Sequence, residues 1–193
     1  MNKLVCITGL PGSGKSVASD FFVGKGYQYL RFGQVALDEL VRRKLAVNEQ
    51  NERMIREGFR KKYGMAAFAI LNLPKFKSLL KKGNVIGDGL YSFEEYKLLK
   101  KEFEKRLKTI AVYSPPEMRY KRLAVRRLTS KDKDLRYRSL TRKVAESRDY
   151  AEIENLNKGG TIAMADYTIV NTKSLKYFYG KLNEIFKEIE KTK

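Results

Sequence analysis

The chain has 193 residues, 42% of them hydrophobic, and carries 41 Lys plus Arg against 22 Asp plus Glu for a net charge of +19. That length and apolar content suit one domain with a full core and exclude a disordered chain, and no run of about 18 apolar residues exists to cross a membrane. The sequence has no His, so any catalysis must rest on carboxylates, cations and backbone dipoles. The charge favours polyanionic ligands such as nucleotides, coenzyme A-like molecules or RNA, without choosing among them. The single Cys6 sits in an apolar run and reads as a small core residue. It cannot form an intramolecular disulfide, and a leader cleaved ahead of it would cut through the first motif, so a reducing cytoplasm is the expected setting.

Short apolar runs predict strands over 3–8, 27–31, 84–88, 107–113 and 167–170. Longer helical patterns fall at 15–24, 34–46, 48–62, 65–80, 92–104, 116–128, 139–156 and 174–190. The alternation points to an α/β fold with a parallel sheet. The first strand runs into Gly9-Leu10-Pro11-Gly12-Ser13-Gly14-Lys15-Ser16, which fits the phosphate-binding P-loop pattern G-x-x-x-x-G-K-[ST]. In that motif Gly9, Pro11, Gly12, Ser13 and Gly14 shape a backbone whose N–H groups turn toward phosphates, and the following helix adds its positive end. Lys15 is expected to reach the β- and γ-phosphates and Ser16 to bind Mg²⁺, which makes ATP and Mg²⁺ the expected cofactors.

Residues 33–82 form a helical excursion between the second and third strands, and residues 128–148 are dense in Arg and Lys after the fourth. Neither carries a continuous apolar pattern, so both read as segments able to move. Lys82-Gly83 reads as the turn into the third strand. Pro74 predicts a kink or break in its helix, while Pro115-Pro116 suits a helix start.

A P-loop followed by a helical insertion and an arginine-rich insertion resembles the nucleoside monophosphate kinase group. The resemblance implies a P-loop NTP hydrolase fold over residues 1–193, with a five-stranded parallel sheet flanked by helices. It makes 33–82 the acceptor-binding helices and 128–148 an arginine-rich lid. Asn84-Val85-Ile86-Gly87-Asp88-Gly89-Leu90-Tyr91-Ser92 resembles the group's strand ending in Asp-Gly-Phe-Pro-Arg, which makes Asp88 the candidate to organise Mg²⁺; the plainer reading is an Asp capping the turn at Gly89. Arg119-Tyr120-Lys121-Arg122-Leu123-Ala124-Val125-Arg126-Arg127 resembles the stretch leading into the lid of adenylate kinases. Arg122 and Arg126 lie four apart, so both fall on one helix face, and the resemblance has them stack on adenine and reach a phosphate. The plainer reading is a solvated basic helix. Arg148-Asp149 resembles the lid's Arg-x-Asp-Asp, with Arg148 steadying the transferring phosphoryl; Arg136, Arg138 and Arg142 are equal candidates by charge alone.

Ala165-Asp166-Tyr167-Thr168-Ile169-Val170-Asn171-Thr172-Lys173-Ser174-Leu175 resembles the closing strand and helix of dephospho-CoA kinases. That places Asn171 near the adenine, or else as a helix cap before Ser174. The chain as a whole resembles a family of archaeal and bacterial dephospho-CoA kinase-like P-loop proteins. Further likenesses to it lie at Arg148 to Glu154 and at Lys158-Gly159-Gly160.

The acceptor side departs from the pattern. Gln34 and Leu37 stand where nucleoside monophosphate kinases carry Asp and Arg after the second strand, and Ser92 replaces the Arg of Asp-Gly-Phe-Pro-Arg. Arg31, Arg42 and Arg43 are the available substitutes for a phosphate grip, and Asp88 and Asp38 for the carboxylate base of a hydroxyl-phosphorylating kinase. Two functions follow: an ATP-dependent phosphotransferase acting on a small nucleotide-like acceptor, such as a nucleoside monophosphate or dephospho-CoA, or an adenylate kinase-like ATPase that works on RNA or the ribosome. A signalling GTPase is disfavoured, because Asn157-Lys158-Gly159-Gly160 stops short of the guanine-binding Asn-Lys-x-Asp. No membrane partner is expected, and the sequence leaves the oligomeric state open.

Overall fold

The computed structural model describes residues 1–126 and 139–191. In chain order the elements are β1 (Leu4–Thr8), α1 (Lys15–Gly24), β2 (Gln28–Arg31), α2 (Gln34–Arg42), α3 (Glu49–Tyr63), α4 (Ala67–Lys82), β3 (Val85–Asp88) and α5 (Phe93–Phe103). A short 3₁₀ turn (Glu104–Arg106) leads to β4 (Leu107–Tyr113), α6 (Pro116–Ala124), α7 (Arg142–Glu154), α8 (Lys158–Ala163), β5 (Tyr167–Val170) and α9 (Leu175–Lys191).

The five strands form one parallel sheet in the order β2-β3-β1-β4-β5. β1 lies at its centre, with Leu4 beside Val85 on one side and Leu107 on the other. Strand periodicity splits β1 between two cores. Leu4 and Cys6 pack with Leu30, Phe32, Phe76 and Leu99 on the side of α2 to α5. Val5 and Ile7 pack with Phe22, Ile110, Phe178 and Leu182 on the side of α1 and α9. A parallel sheet covered on both faces explains why its strands read as unbroken apolar runs. All five strands point their carboxyl ends to one edge. There β1 delivers the P-loop, and the pairing of β2 with β3 sets Arg31 beside Asp88.

All five predicted strands are present, with ends that differ by a residue at most. The helices differ more. α4 runs through Pro74 as one element rather than breaking. Pro74 and Ile70, whose carbonyl loses its partner, both face solvent, where water can take the free bond. α6 stops at Ala124 instead of reaching 128, and α2 stops at Arg42. α8 was not predicted, because its Gly159 and Gly160 argue against a helix in isolation. Of the expected lid, 128–138 lies outside the described residues and the remainder forms the entry and first half of α7. Among the described residues no helix is long and apolar enough to cross a membrane.

Candidate functional site

The P-loop is a backbone device, and its glycines are there for want of space. Gly9 has φ +140°, and a Cβ there would lie 2.3 Å from the Val112 carbonyl oxygen. Gly14, the left-handed residue that opens α1, has φ +113° and would put a Cβ 2.4 Å from Asn171 Nδ2. Neither position tolerates a side chain. α1 begins at Lys15, so its unpaired amides and positive end face the loop's concave side. The Lys15 ammonium folds back onto the loop, donating to the carbonyls of Gly9 (2.8 Å) and Leu10 (3.0 Å). Burial, with Lys158 nearby, lowers its pKa to about 7, against an opposite pull from Glu152 and Asp88. Phosphate oxygens brought to it would favour the charged form.

A cavity of about 130 Å³ opens over the loop, room for phosphate groups rather than a whole nucleotide. Pro11, Gly12, Gly14, Lys15 and Ser16 form its floor. Arg31, Asp88, Arg126, Arg148 and Glu152 form its walls, so with Lys15 of the floor four cations and two carboxylates meet there. Asp88 sits at the end of β3, nearly buried, and its Oδ2 accepts a bond from the Tyr29 hydroxyl at 2.8 Å. Arg148, on α7, reaches across to Glu49 of α3 at 3.5 Å, which links these two helices beside the cavity.

The sequence-derived candidates therefore divide. Lys15, Ser16, Asp88, Arg126 and Arg148 come together around one cavity. Arg122 and Asn171 do not line it and instead brace the loop from behind. Asn171 Nδ2 donates to the Ser13 carbonyl at 2.8 Å, and Arg122 donates to Ser114 Oγ and the Asn171 carbonyl, each at 2.9 Å. Because α6 ends at Ala124, Arg126 lies past the helix and the shared helical face expected for Arg122 and Arg126 does not form. The cap of α9 falls to Ser174, whose Oγ accepts from the Tyr177 amide at 3.3 Å. Ser13 is fully buried, and its Oγ has no hydrogen-bond partner among the described residues. Arg142 bonds exposed Glu117 rather than the cavity, and Arg136 and Arg138 lie outside the described residues.

Behind the loop lies a buried ion pair that sequence reading missed. Arg119, 2% exposed, makes a bidentate bridge to Asp149 at 2.8 and 2.5 Å. It also donates to the carbonyls of Pro11 (3.0 Å) and Ser114 (2.9 Å), and the Tyr120 hydroxyl completes Asp149 at 2.9 Å. One guanidinium thus ties the P-loop, the end of β4 and α7 together. The signal was present in the sequence as one more Arg in a basic run. Only the fold distinguishes it from its neighbours.

On the side of α2 and α3, Gln34 bonds Asp38 at 2.9 Å, and Asp38 is exposed on a separate groove of about 520 Å³ between the two helices. Arg42 and Arg43 line the same groove and bind Glu39 at 2.6 and 2.7 Å. Of the three expected replacement arginines, Arg31 alone lines the cavity over the P-loop. Ser92 has become a helix cap. Its Oγ accepts from the Glu95 amide at 3.1 Å while the Ser92 amide donates to Glu95 Oε2, and the Ser92 hydroxyl donates to the Met65 carbonyl. Burial pushes the Glu95 carboxyl up to about 7, against two backbone bonds and Arg60.

The comparisons with known proteins agree with this architecture. Residues 5–155 match the family model described as an AAA domain. The UPF0200 protein of Thermococcus kodakarensis is 31% identical over 188 residues, covering 96% of this chain and 97% of its own length. Among solved structures, the shikimate kinase of Acinetobacter baumannii has a TM-score of 0.57 at 14% identity, covering 100% of this chain and 97% of its own. The dephospho-CoA kinase of Campylobacter jejuni has a TM-score of 0.54 at 18% identity, covering 97% of each chain. At those identities the two kinases show a shared fold, the P-loop kinase-like arrangement of a parallel sheet between helices. The match along almost the whole length shows more: this chain belongs to the UPF0200 family of AAA-domain proteins.

Proposed function

We propose that this protein is an ATP-dependent phosphotransferase whose acceptor is a small nucleotide-like molecule, with a nucleoside monophosphate and dephospho-CoA as the two candidates. The observation that carries the reading is the meeting of Lys15, Ser16, Asp88, Arg126 and Arg148 around one cavity over the P-loop. Lys15 neutralises the β- and γ-phosphates, and Arg126 and Arg148 take up charge on the transferring phosphoryl. The loop amides and the start of α1 hold the phosphates in line, so the protein contributes positioning and electrostatics rather than covalent chemistry.

The residues present also fit Mg²⁺. Ser16 and Asp88 supply hard oxygen donors on the cavity wall, and among the described residues no group of three His, Cys, Asp or Glu forms a dedicated cage. That is the pattern of an ion carried in with phosphates. When bound there, held by Ser16 and Asp88, Mg²⁺ would neutralise part of the charge on the phosphates. The fold shared with a shikimate kinase and a dephospho-CoA kinase supports phosphoryl transfer without naming the acceptor.

A screen of ATP consumption against nucleoside monophosphates, dephospho-CoA and RNA, with products identified by mass, tests the reading. Lys15→Ala is expected to lower turnover by about 10²–10³-fold, the usual cost of one aimed cation or donor, while its circular dichroism stays unchanged. Wild-type turnover in that variant would sink the assignment.

A second reading, an ATPase acting on RNA or the ribosome, is favoured by the +19 charge and by the missing acceptor arginines at Leu37 and Ser92. It requires RNA binding that falls steeply between about 50 and 200 mM salt, because each phosphate contact releases counterions. Weak binding that is flat across that range excludes it.

A further inference from the structure

Arg148 to Glu154 and Lys158-Gly159-Gly160 stood out in the sequence, and the phosphate-binding reading uses Arg148 alone. The structure brings Glu152 of the first segment and Lys158 of the second to one place. Glu152, on α7, lines the cavity beside Lys15. Lys158, at the start of α8, has 0% exposed surface, and its ammonium bonds Glu152 Oε2 at 2.5 Å. The same ammonium sits over the ring of Tyr91 at 4.5 Å. Tyr91 lines the cavity too, just after Asp88.

This arrangement is specifically built. α8 packs on α5, and a Cβ at Gly160 would fall 2.9 Å from Phe93 Cγ, so glycine is needed for the approach. Thr161 Oγ1 donates to the Tyr91 carbonyl at 3.4 Å, and Asn157 donates to Glu94 at 3.3 Å. A buried ion pair of this kind gains little stability over well-packed apolar side chains. Its use is to fix a carboxylate. No described residue hydrogen-bonds Glu152 Oε1, which leaves that oxygen for a ligand at the cavity.

Resting on the phosphotransferase reading, we infer that the acceptor presents a hydroxyl group, that Glu152 is the catalytic carboxylate that orients it and takes its proton, and that Lys158 positions Glu152. The chemistry of the cavity supports the assignment. A phosphate acceptor needs bidentate arginines, and the positions expected to supply them hold Leu37 and Ser92; of the three replacement arginines Arg42 and Arg43 turn to Glu39 and Arg31 lines the cavity, one guanidinium where the kinase pattern has two. A hydroxyl acceptor needs a carboxylate. Two carboxylates line the cavity, and Asp88, already bonded to Tyr29, is the one assigned to the metal. In the transfer the acceptor oxygen bonds the γ-phosphorus and the bond from that phosphorus to the bridging oxygen breaks. The nucleoside diphosphate leaves, and the hydroxyl proton passes to Glu152 Oε1 and on to water. Burial opposes charge on Glu152, but Lys158 and Lys15 outweigh it and hold the carboxyl below its ordinary range. A weak base suffices, because a loose phosphoryl-transfer transition state moves the proton late.

The test incubates the full chain with ATP, Mg²⁺ and two acceptor panels: hydroxyl acceptors (nucleosides, shikimate, dephospho-CoA) and phosphate acceptors (AMP, CMP, GMP, UMP). ³¹P resonance identifies the new linkage. A phosphomonoester is expected. A phosphoanhydride overturns the inference and leaves the phosphotransferase reading standing, whereas release of phosphate to water alone overturns both. With the responding acceptor, Glu152→Gln is expected to lower kcat by about 10²–10³-fold. It is also expected to weaken acceptor binding about tenfold, measured by calorimetry with an unreactive ATP analogue present. Lys158→Met is expected to move the acidic limb of the kcat profile up by about one pH unit, because Glu152 loses its cation. Transfer by Glu152→Gln within threefold of wild type overturns the assignment even if Lys158→Met fails to fold.

Discussion

Between Gly9 and Ser16, eight consecutive residues make the P-loop, whereas the wall facing it takes Arg31 from β2, Tyr91 from after β3, and Arg148 and Glu152 from α7, with Lys158 of α8 paired to Glu152. The loop works through backbone amides, a helix end and one lysine. The wall works through side chains brought from distant parts of the chain and held by ion pairs. A site read by its backbone needs a local pattern, because glycines at fixed spacing set the path of the chain. A site read by its side chains needs the whole fold, because each partner sits on a different element.

That contrast can be broken at its joint. Arg119 connects the loop to α7 through Asp149, so the loop depends on a long-range contact after all. Asp149→Ala strands a buried guanidinium, and a loss of about 3–5 kcal/mol in urea unfolding is expected. Nucleotide affinity should fall with it, since Arg119 also holds the Pro11 carbonyl. A loss below about 1 kcal/mol would mean the loop stands without α7, and the two regions are more separate than the structure implies.

Glu95, which accepts from the amide of the wall residue Tyr91, sharpens the contrast. Its carboxyl lies near 7 in the folded protein against an ordinary value of 4.5. A raised carboxyl contributes stability that is complete below pH of about 4.5 and is lost as pH rises through about 7. The wild type should therefore lose about 3 kcal/mol from this group between pH 4.5 and 8. Glu95→Gln keeps the capping box and should flatten that slope, read by unfolding at the two pH values. An unchanged slope would mean the buried carboxyl is not the source.

The smallest effect is expected at the contact that spans the cavity. Arg148 reaches Glu49 at 3.5 Å, and Glu49 also holds Arg56 at 2.7 Å. Glu49→Gln should change stability by less than about 1 kcal/mol, as for other half-exposed pairs. It should also free Arg148 toward phosphate and tighten nucleotide binding modestly, measured by calorimetry. Weaker binding would indicate that Glu49 aims Arg148 rather than competing for it.

The sequence by itself determined the strands, the P-loop and the carboxylate at the end of β3. Apolar runs and glycine spacing are local signals, and the central sheet imposes them on each strand separately. It also showed that the usual acceptor residues are missing at Gln34, Leu37 and Ser92, and the structure explains Ser92 as the cap of α5. Tertiary structure alone decided which of many basic residues matter where. Arg119, Arg122 and Arg126 look alike along the chain, yet one is a buried strut, one braces Asn171 and one lines the cavity. It decided α8 as well, a helix whose Gly159 and Gly160 disfavour it locally and whose packing on Phe93 makes it form. Charge is read from composition, but a charge acquires its role from burial and from the partner the fold sets beside it, as Glu152 and Lys158 do.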